Sequence, residues 1–206
     1  MARVELIDPR SSEDPEIREI CDWVTEMEGD VPNHFLIEMN FPEFFKAKLG
    51  ATKVLWQMGE LSLPEIQHVG IAVSKANSCS YCTAAFCTIM NYGMETDEDY
   101  TKSFLENGVE VILDDRLKTI VNFALRVNKE MHDITDGEIA GLREVGLTDR
   151  GIVQLVNLVS DFASYNRLNL ALQTDYDYRD MWRQVGFDWT LKEGDKEGDN
   201  TRGVRP

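Results

Sequence analysis

Apolar residues recur along this chain at spacings of three and four, and no alternating run of strand length interrupts them. That period belongs to amphipathic helices. The first stripe is Ile17, Ile20, Cys21, Val24 and Met27, in a segment from Pro15 to Glu28 that Gly29 stops. Val31-Pro32-Asn33-His34-Phe35-Leu36 opens a short helix, and Pro42-Glu43-Phe44-Phe45 starts another that runs to about Met58. Ile66, Val69, Val73 and Ala76 then recur from Pro64, a helix-compatible first residue. Cys82, Ala85, Phe86 and Ile89 repeat the pattern toward a stop at Gly93.

The second half reads the same way. Thr96 or Asp97 caps a short helix through about Asn107, and Asp114 begins one whose Leu117, Ile120, Val121, Ala124 and Leu125 share a face. That helix ends near Met131, with His132 and Asp133 in a loop. Thr135-Asp136-Gly137-Glu138 is a capping box, and its helix closes at Gly146. Thr148 caps the last helix, to about Leu172. Ile152, Leu155, Val156, Val159 and Ala163 face one side there, while Val153, Leu158 and Phe162 widen the stripe, so this helix is expected at the centre. The fold class is all-α. The expected organisation is an N-terminal arm (1–14), lying over the surface or a neighbouring subunit, and a helical domain (15–190) with its core at about 31–172. An aromatic stretch around Tyr176, Trp182, Phe187 and Trp189 closes the domain, and 191–206 is a polar, Gly-rich tail too poor in apolar residues to fold alone.

Composition narrows the partners. The 206 residues carry 21 basic against 37 acidic side chains, a formal charge of −16. Such a surface repels nucleic-acid phosphates and anionic lipid, so neither nucleic acid nor membrane is expected as a partner. There is no apolar run long enough for a transmembrane helix, and the start Met1-Ala2-Arg3-Val4-Glu5 lacks the apolar core of a secretory signal. A cytoplasmic location is the expectation.

Three of the four cysteines fall in Asn77-Ser78-Cys79-Ser80-Tyr81-Cys82-Thr83-Ala84-Ala85-Phe86-Cys87, between two helical stripes. With Asn77 or Ser78 as cap, Cys79 and Cys82 lie in the first turn of the second helix. Unpaired N–H groups and the positive end of the macrodipole favour a thiolate there. Residues three apart share a helical face, so the sulfurs are placed to close a disulfide. The residues alone leave three readings open: a zinc half-site, an inert buried pair, or a redox dithiol. Structural zinc needs four ligands, and neither a second Cys-x-x-Cys nor a His pair completes a set with His34, His68 or His132. Cys21 reads as a small buried apolar residue, and Cys87 turns away from Cys82.

The run Leu63-Pro64-Glu65-Ile66-Gln67-His68-Val69-Gly70-Ile71-Ala72-Val73, followed by Asn77-Ser78-Cys79-Ser80-Tyr81-Cys82, resembles the carboxymuconolactone decarboxylase / alkylhydroperoxidase D superfamily. The likeness extends from Val31-Pro32-Asn33 to Tyr165-Asn166-Arg167-Leu168. It implies an alkylhydroperoxidase D-like helical domain in a homo-oligomer, a trimer or hexamer. It also implies a thiol-dependent peroxidase-like oxidoreductase with no metal or organic cofactor. By that likeness Cys82 is the nucleophile, Cys79 the resolving partner, and a dithiol or lipoyl-type compound the reductant. The family's relay histidine and glutamate fall at Phe86 and Gln67, so an attenuated peroxidase is expected. Glu65, His68, Tyr81 and Gln67 itself are the candidates to replace the relay. Phe86 beside the thiol makes a drier pocket, which is expected to raise the thiol pKa. The alternatives are a lyase or isomerase on a small carboxylated substrate, as in the decarboxylase branch, and a non-catalytic helical scaffold. Asn157, Asp161, Asn166 and Asn169, polar positions in the last helix, read as a structural network, with the lining of a substrate cavity as the alternative.

Overall fold

A computed structural model describes residues 2–94 and 96–177, and no strand occurs among them. Nine α-helices follow in order among the described residues: α1 (Pro15–Glu28), α2 (Asn33–Glu38), α3 (Pro42–Gln57), α4 (Leu63–Ala76), α5 (Ser80–Thr88), α6 (Glu98–Asn107), α7 (Asp115–Glu130), α8 (Asp136–Glu144) and α9 (Asp149–Leu172). The expected aromatic stretch about Trp182, Phe187 and Trp189, the domain end at 190 and the tail 191–206 lie outside the described residues.

Local chemistry sets the helix ends. Asp14 caps α1 by accepting the Glu16 N–H, and Gly29 ends it at φ 86°. Ser62 and Glu65 form a reciprocal capping box on α4, as Thr135 and Glu138 do on α8; such a cap stabilises a helix by about 1 kcal/mol. Helix α9 is central as expected, packing on α3, α4, α5 and α7. Two of its apolar residues break the expectation: Val153 and Val156 are exposed, at 60% and 37%. The buried stripe runs instead through Ile152, Leu155, Leu158, Val159, Phe162 and Ala163. A helix buries only the arc its neighbours cover, and nothing described covers the Val153–Val156 arc.

Two apolar clusters fill the interior. One joins α4, α6, α7, α8 and α9 around Ile66, Val69, Ile120, Leu142, Leu155 and Phe162. The other joins α1, α2, α3 and the start of α5 around Ile17, Val24, Phe35, Phe45, Leu49 and Tyr81. Helix α5 belongs to both: Cys79 and Cys82 lie in the second cluster, Phe86 and Cys87 in the first. Its close seat on α4 depends on Gly70, where a Cβ would fall 2.5 Å from the Phe86 ring. The N-terminal arm lies on its own chain, with the Arg3 N–H donating to the Leu172 carbonyl (2.8 Å) and the Ile7 N–H to that of Leu36 (3.0 Å). His132 and Asp133 sit in a single 3₁₀ turn rather than an open loop. No helix among the described residues is long and apolar enough to cross a membrane.

Candidate active site

The dithiol turn is built from one helix end meeting another helix start. Asn77 caps the C-terminus of α4, and Ser78 follows in the left-handed region at φ 59°. The Ser78 N–H donates to the Lys75 carbonyl and the Cys79 N–H to that of Ser74 (3.0 and 2.9 Å), which is a Schellman closure. The next residue in the chain is already the N-cap of α5. That cap is Cys79 itself, not Asn77 or Ser78, and its Sγ accepts the Cys82 N–H at 3.4 Å. Cys82 therefore stands three residues into the helix, in the first turn at the positive end of its dipole.

The two sulfurs are 2.6 Å apart, and both cysteines are free thiols. They differ in surroundings. Cys79 is fully buried, whereas Cys82 lines a cavity of about 50 Å³ together with Trp56, Phe86, Phe162, Thr52 and Tyr165. Burial works against a Cys82 thiolate, but donors from Cys79, Asn166 and Asn169 and the positive charge of Lys48 outweigh it, and the thiol is held below its ordinary range. The Asn169 amide donates to Cys82 Sγ at 3.2 Å. The proton shared with Cys82, and then burial, push Cys79 upward. The dry pocket beside Phe86 pushes the Cys82 thiol upward as expected, but the S–H and N–H donors and Lys48 together favour the anion more than dryness disfavours it. Cys87 is fully buried in the other cluster, where burial alone raises its thiol.

The remaining candidates divide. Tyr81 is fully buried, lines the cavity, and accepts the His34 backbone N–H at 3.2 Å. Both Glu65 oxygens are committed, Oε2 to the Ser62 cap (2.7 Å) and Oε1 to Arg116 Nε (2.6 Å). His68 is committed as well. Its Nδ1 lies 2.7 Å from the Pro64 carbonyl, which can only accept, so Nδ1 carries the proton and Nε2 receives the Tyr100 hydroxyl at 2.9 Å. Neither Glu65 nor His68 lines the cavity. Gln67 is fully buried, and among the described residues neither atom of its amide has a hydrogen-bond partner. The position Phe86 takes is filled by aromatic packing, with Phe162 edge-on at 4.7 Å and Trp56 stacked at 6.3 Å.

Several polar residues gathered at the cavity were not singled out as site residues in the sequence. Asn169 had been assigned to a structural network, and it partners the thiol. Asn166 does serve such a network, donating to Ser74 Oγ (3.0 Å) and accepting from Asn77 (2.8 Å). His34 and Thr52 line the cavity, and Lys48, Glu38 and Asp161 lie behind it. The only signal for them was that polar residues punctuate otherwise apolar helices. No group of three or more His, Cys, Asp or Glu side chains among the described residues is arranged to hold a metal ion.

No protein-family model matches the sequence, and no curated protein matches it. Solved structures do match the fold. An alkylhydroperoxidase AhpD core, an uncharacterized peroxidase-related protein from Ralstonia eutropha JMP134, superposes with a TM-score of 0.77 at 24% identity, over 88% of this chain and 95% of that one. An uncharacterized peroxidase-related protein from Silicibacter sp. TM1040 gives 0.73 at 22% identity, over 85% and 92%. A cysteine-to-alanine variant of the debrominase Bmp8, in complex with 2,3,4-tribromopyrrole, gives 0.73 at 14% identity, over 90% and 100%. The helix order, the dithiol turn and these superpositions together give this chain the alkylhydroperoxidase D-like fold.

Proposed function

We propose that this protein is a thiol-dependent oxidoreductase of the peroxidase type, with Cys82 as nucleophile and Cys79 as resolving thiol. The observation that carries the reading is the asymmetry of the pair. Cys82 is the sulfur that lines the cavity and receives the donors, and Cys79 waits 2.6 Å behind it. In the first step the Cys82 thiolate attacks the terminal oxygen of a hydroperoxide. The S–O bond forms as the O–O bond breaks, and the alkoxide leaves with a proton as an alcohol. Cys79 sulfur then displaces water from the sulfenic acid to give the disulfide. Two thiols and one hydroperoxide thus become one disulfide, one alcohol and one water. A dithiol or lipoyl-type reductant restores the pair by exchange.

The cavity wall supports this reading over a lyase acting on a carboxylated substrate. Among the described residues that line it there is no Lys or Arg to hold a carboxylate, and its charged member, Glu28, has the wrong sign. The two peroxidase-related neighbours agree with redox chemistry at the level of fold. Assembly as a homo-oligomer belongs to the same proposal, supported by Phe41, Phe44, Val54 and Met58 of the α3 region, all more than half exposed. The test is a free-thiol titration before and after one equivalent of tert-butyl hydroperoxide. Wild type is expected to lose two thiols, and Cys82→Ser none. Retention of all four thiols in wild type would overturn the dithiol reading.

A further inference from the structure

Thiol chemistry in an apolar cavity needs a route for protons, and the residues at the Gln67 and Phe86 positions offer none. The polar groups lie on the other wall. Thr52 of α3 is 5% exposed, lines the cavity with Cys82, and donates from Oγ1 to Asp161 Oδ2 at 2.9 Å. Asp161, on α9, is half-buried and so reaches solvent as well. Behind them Lys48 is ion-paired with Glu38, and its Nζ lies 3.4 Å from the centre of the Tyr165 ring. Both side chains of that pair are more than nine-tenths buried. Among the described residues, His34 Nε2, Glu38 Oε2 and the Tyr165 hydroxyl are buried without hydrogen-bond partners. His34 and Tyr165 both line the cavity, although these polar atoms lie buried behind a surface that is almost wholly apolar.

Resting on the dithiol reading, we infer that Thr52 and Asp161 form the proton path of the site, carrying the Cys82 proton out and returning it to the leaving oxygen. In this path Thr52, which lines the cavity with Cys82, is the catalytic residue, and Asp161 acts through it. As Cys82 ionises, its proton passes to Thr52 Oγ1 while the Thr52 hydrogen moves to Asp161 Oδ2. As the O–O bond breaks, the sequence reverses: Asp161 protonates Thr52, and Thr52 protonates the departing alkoxide. The cluster ends as it began. Charge supports the role, because two carboxyl groups share one ammonium. Burial pushes both Glu38 and Asp161 upward, against the lowering effect of Lys48 on each. Room is sufficient too: about 50 Å³ exceeds the ~10–15 Å³ that one water needs, so the cavity that Cys82 and Thr52 both line has space for a bridging water.

The test compares two oxidants that differ in what leaves. The tert-butoxide from tert-butyl hydroperoxide needs a proton, whereas the acetate from peracetic acid does not. Single-turnover thiol oxidation is followed for wild type, Asp161→Asn, Thr52→Val and Thr52→Ser. Asp161→Asn and Thr52→Val should lose about 10²-fold with tert-butyl hydroperoxide and clearly less with peracetic acid, where only the outward transfer of the Cys82 proton is affected. Thr52→Ser, which keeps the hydroxyl, should recover most of the tert-butyl hydroperoxide rate that Thr52→Val loses. Equal losses with both oxidants would mean disturbed structure and overturn the inference, as would an unchanged rate with tert-butyl hydroperoxide. Wild type that keeps its thiols against both oxidants would instead overturn the dithiol reading, and this inference with it.

Discussion

The dithiol has two flanks, and they solve the problem of a buried polar group in opposite ways. On the α4 flank, Gln67 is fully buried with both amide atoms unpaired, and Phe86 is locked against Gly70 and Phe162. On the α2–α3–α9 flank, Glu38, Lys48, Thr52 and Asp161 are tied together by an ion pair and a hydrogen bond. A solitary amide in an apolar wall costs stability without doing chemistry. A linked set of titratable groups holds charge and moves protons. The comparison teaches that one dithiol turn can sit between an apolar wall and a polar one, and the proton path proposed above needs the polar one.

The largest expected effect breaks the polar flank. Lys48→Met leaves the buried Glu38 carboxyl without its cation, and loss of one partner of a buried pair typically costs ~3–5 kcal/mol. Urea unfolding should show a loss of that order, together with a higher Cys82 pKa in a thiol-alkylation profile. A loss under about 1 kcal/mol would mean the flank is not a coupled unit.

Moving the proton path back across the thiol sharpens the contrast. In an Asp161→Asn background, Phe86→His with Gln67→Glu should recover about 10²-fold in the tert-butyl hydroperoxide rate, the low end for a positioned acid or base. Either substitution alone should not, since one supplies a ring without a partner and the other a buried carboxylate without a donor. Recovery by a single substitution would argue against a paired relay.

Gln67→Met tests the apolar flank by itself. Removing an amide whose atoms are both unpaired should stabilise the fold by ~1–3 kcal/mol, read from the urea midpoint at unchanged m-value. Destabilisation would show that the amide is paired in solution.

The smallest effect near neutral pH comes from His34. Burial, and then Lys48, lower the His34 pKa to about 3 from an ordinary 6.5. The unfolded chain therefore binds a proton that the folded chain refuses, and this contribution to stability is present above 6.5 and lost as pH falls toward 3. Its slope is at most about 1.4 kcal/mol per pH unit. Asp177, raised to about 6 from 3.8 by burial, acts in the opposite sense between those values. The informative quantity is the difference between wild type and His34→Phe, which should flatten the fall below pH 6.5. Parallel curves would place His34 in solvent.

Much of this architecture was legible in the chain. Pro15 with Gly29, Thr135 with Glu138, and Thr148 before an apolar stripe fixed helix ends that the structure reproduces. Caps act within a turn of themselves, so local sequence reports them faithfully. The Cys79–Cys82 pair was legible for the same reason. The cap residue itself was not, because the Schellman closure of α4 uses Asn77 and Ser78 and leaves Cys79 to begin α5. Nor did periodicity reveal that Val153 and Val156 face outward, since the width of a buried arc depends on which helices cover it.

The sequence by itself determined an all-helical chain with a dithiol at the start of a helix, since both follow from contacts within a few residues. Only the tertiary structure decided what surrounds that dithiol. Asn169 lies 87 residues from Cys82, and Asp161 lies 109 from Thr52. Glu65 and His68, next to the dithiol in sequence and plausible there, are drawn off by Arg116 and Tyr100 from other helices. The reaction environment of a thiol is set by groups within a few ångströms in space, and helix packing, which no local pattern encodes, chooses them.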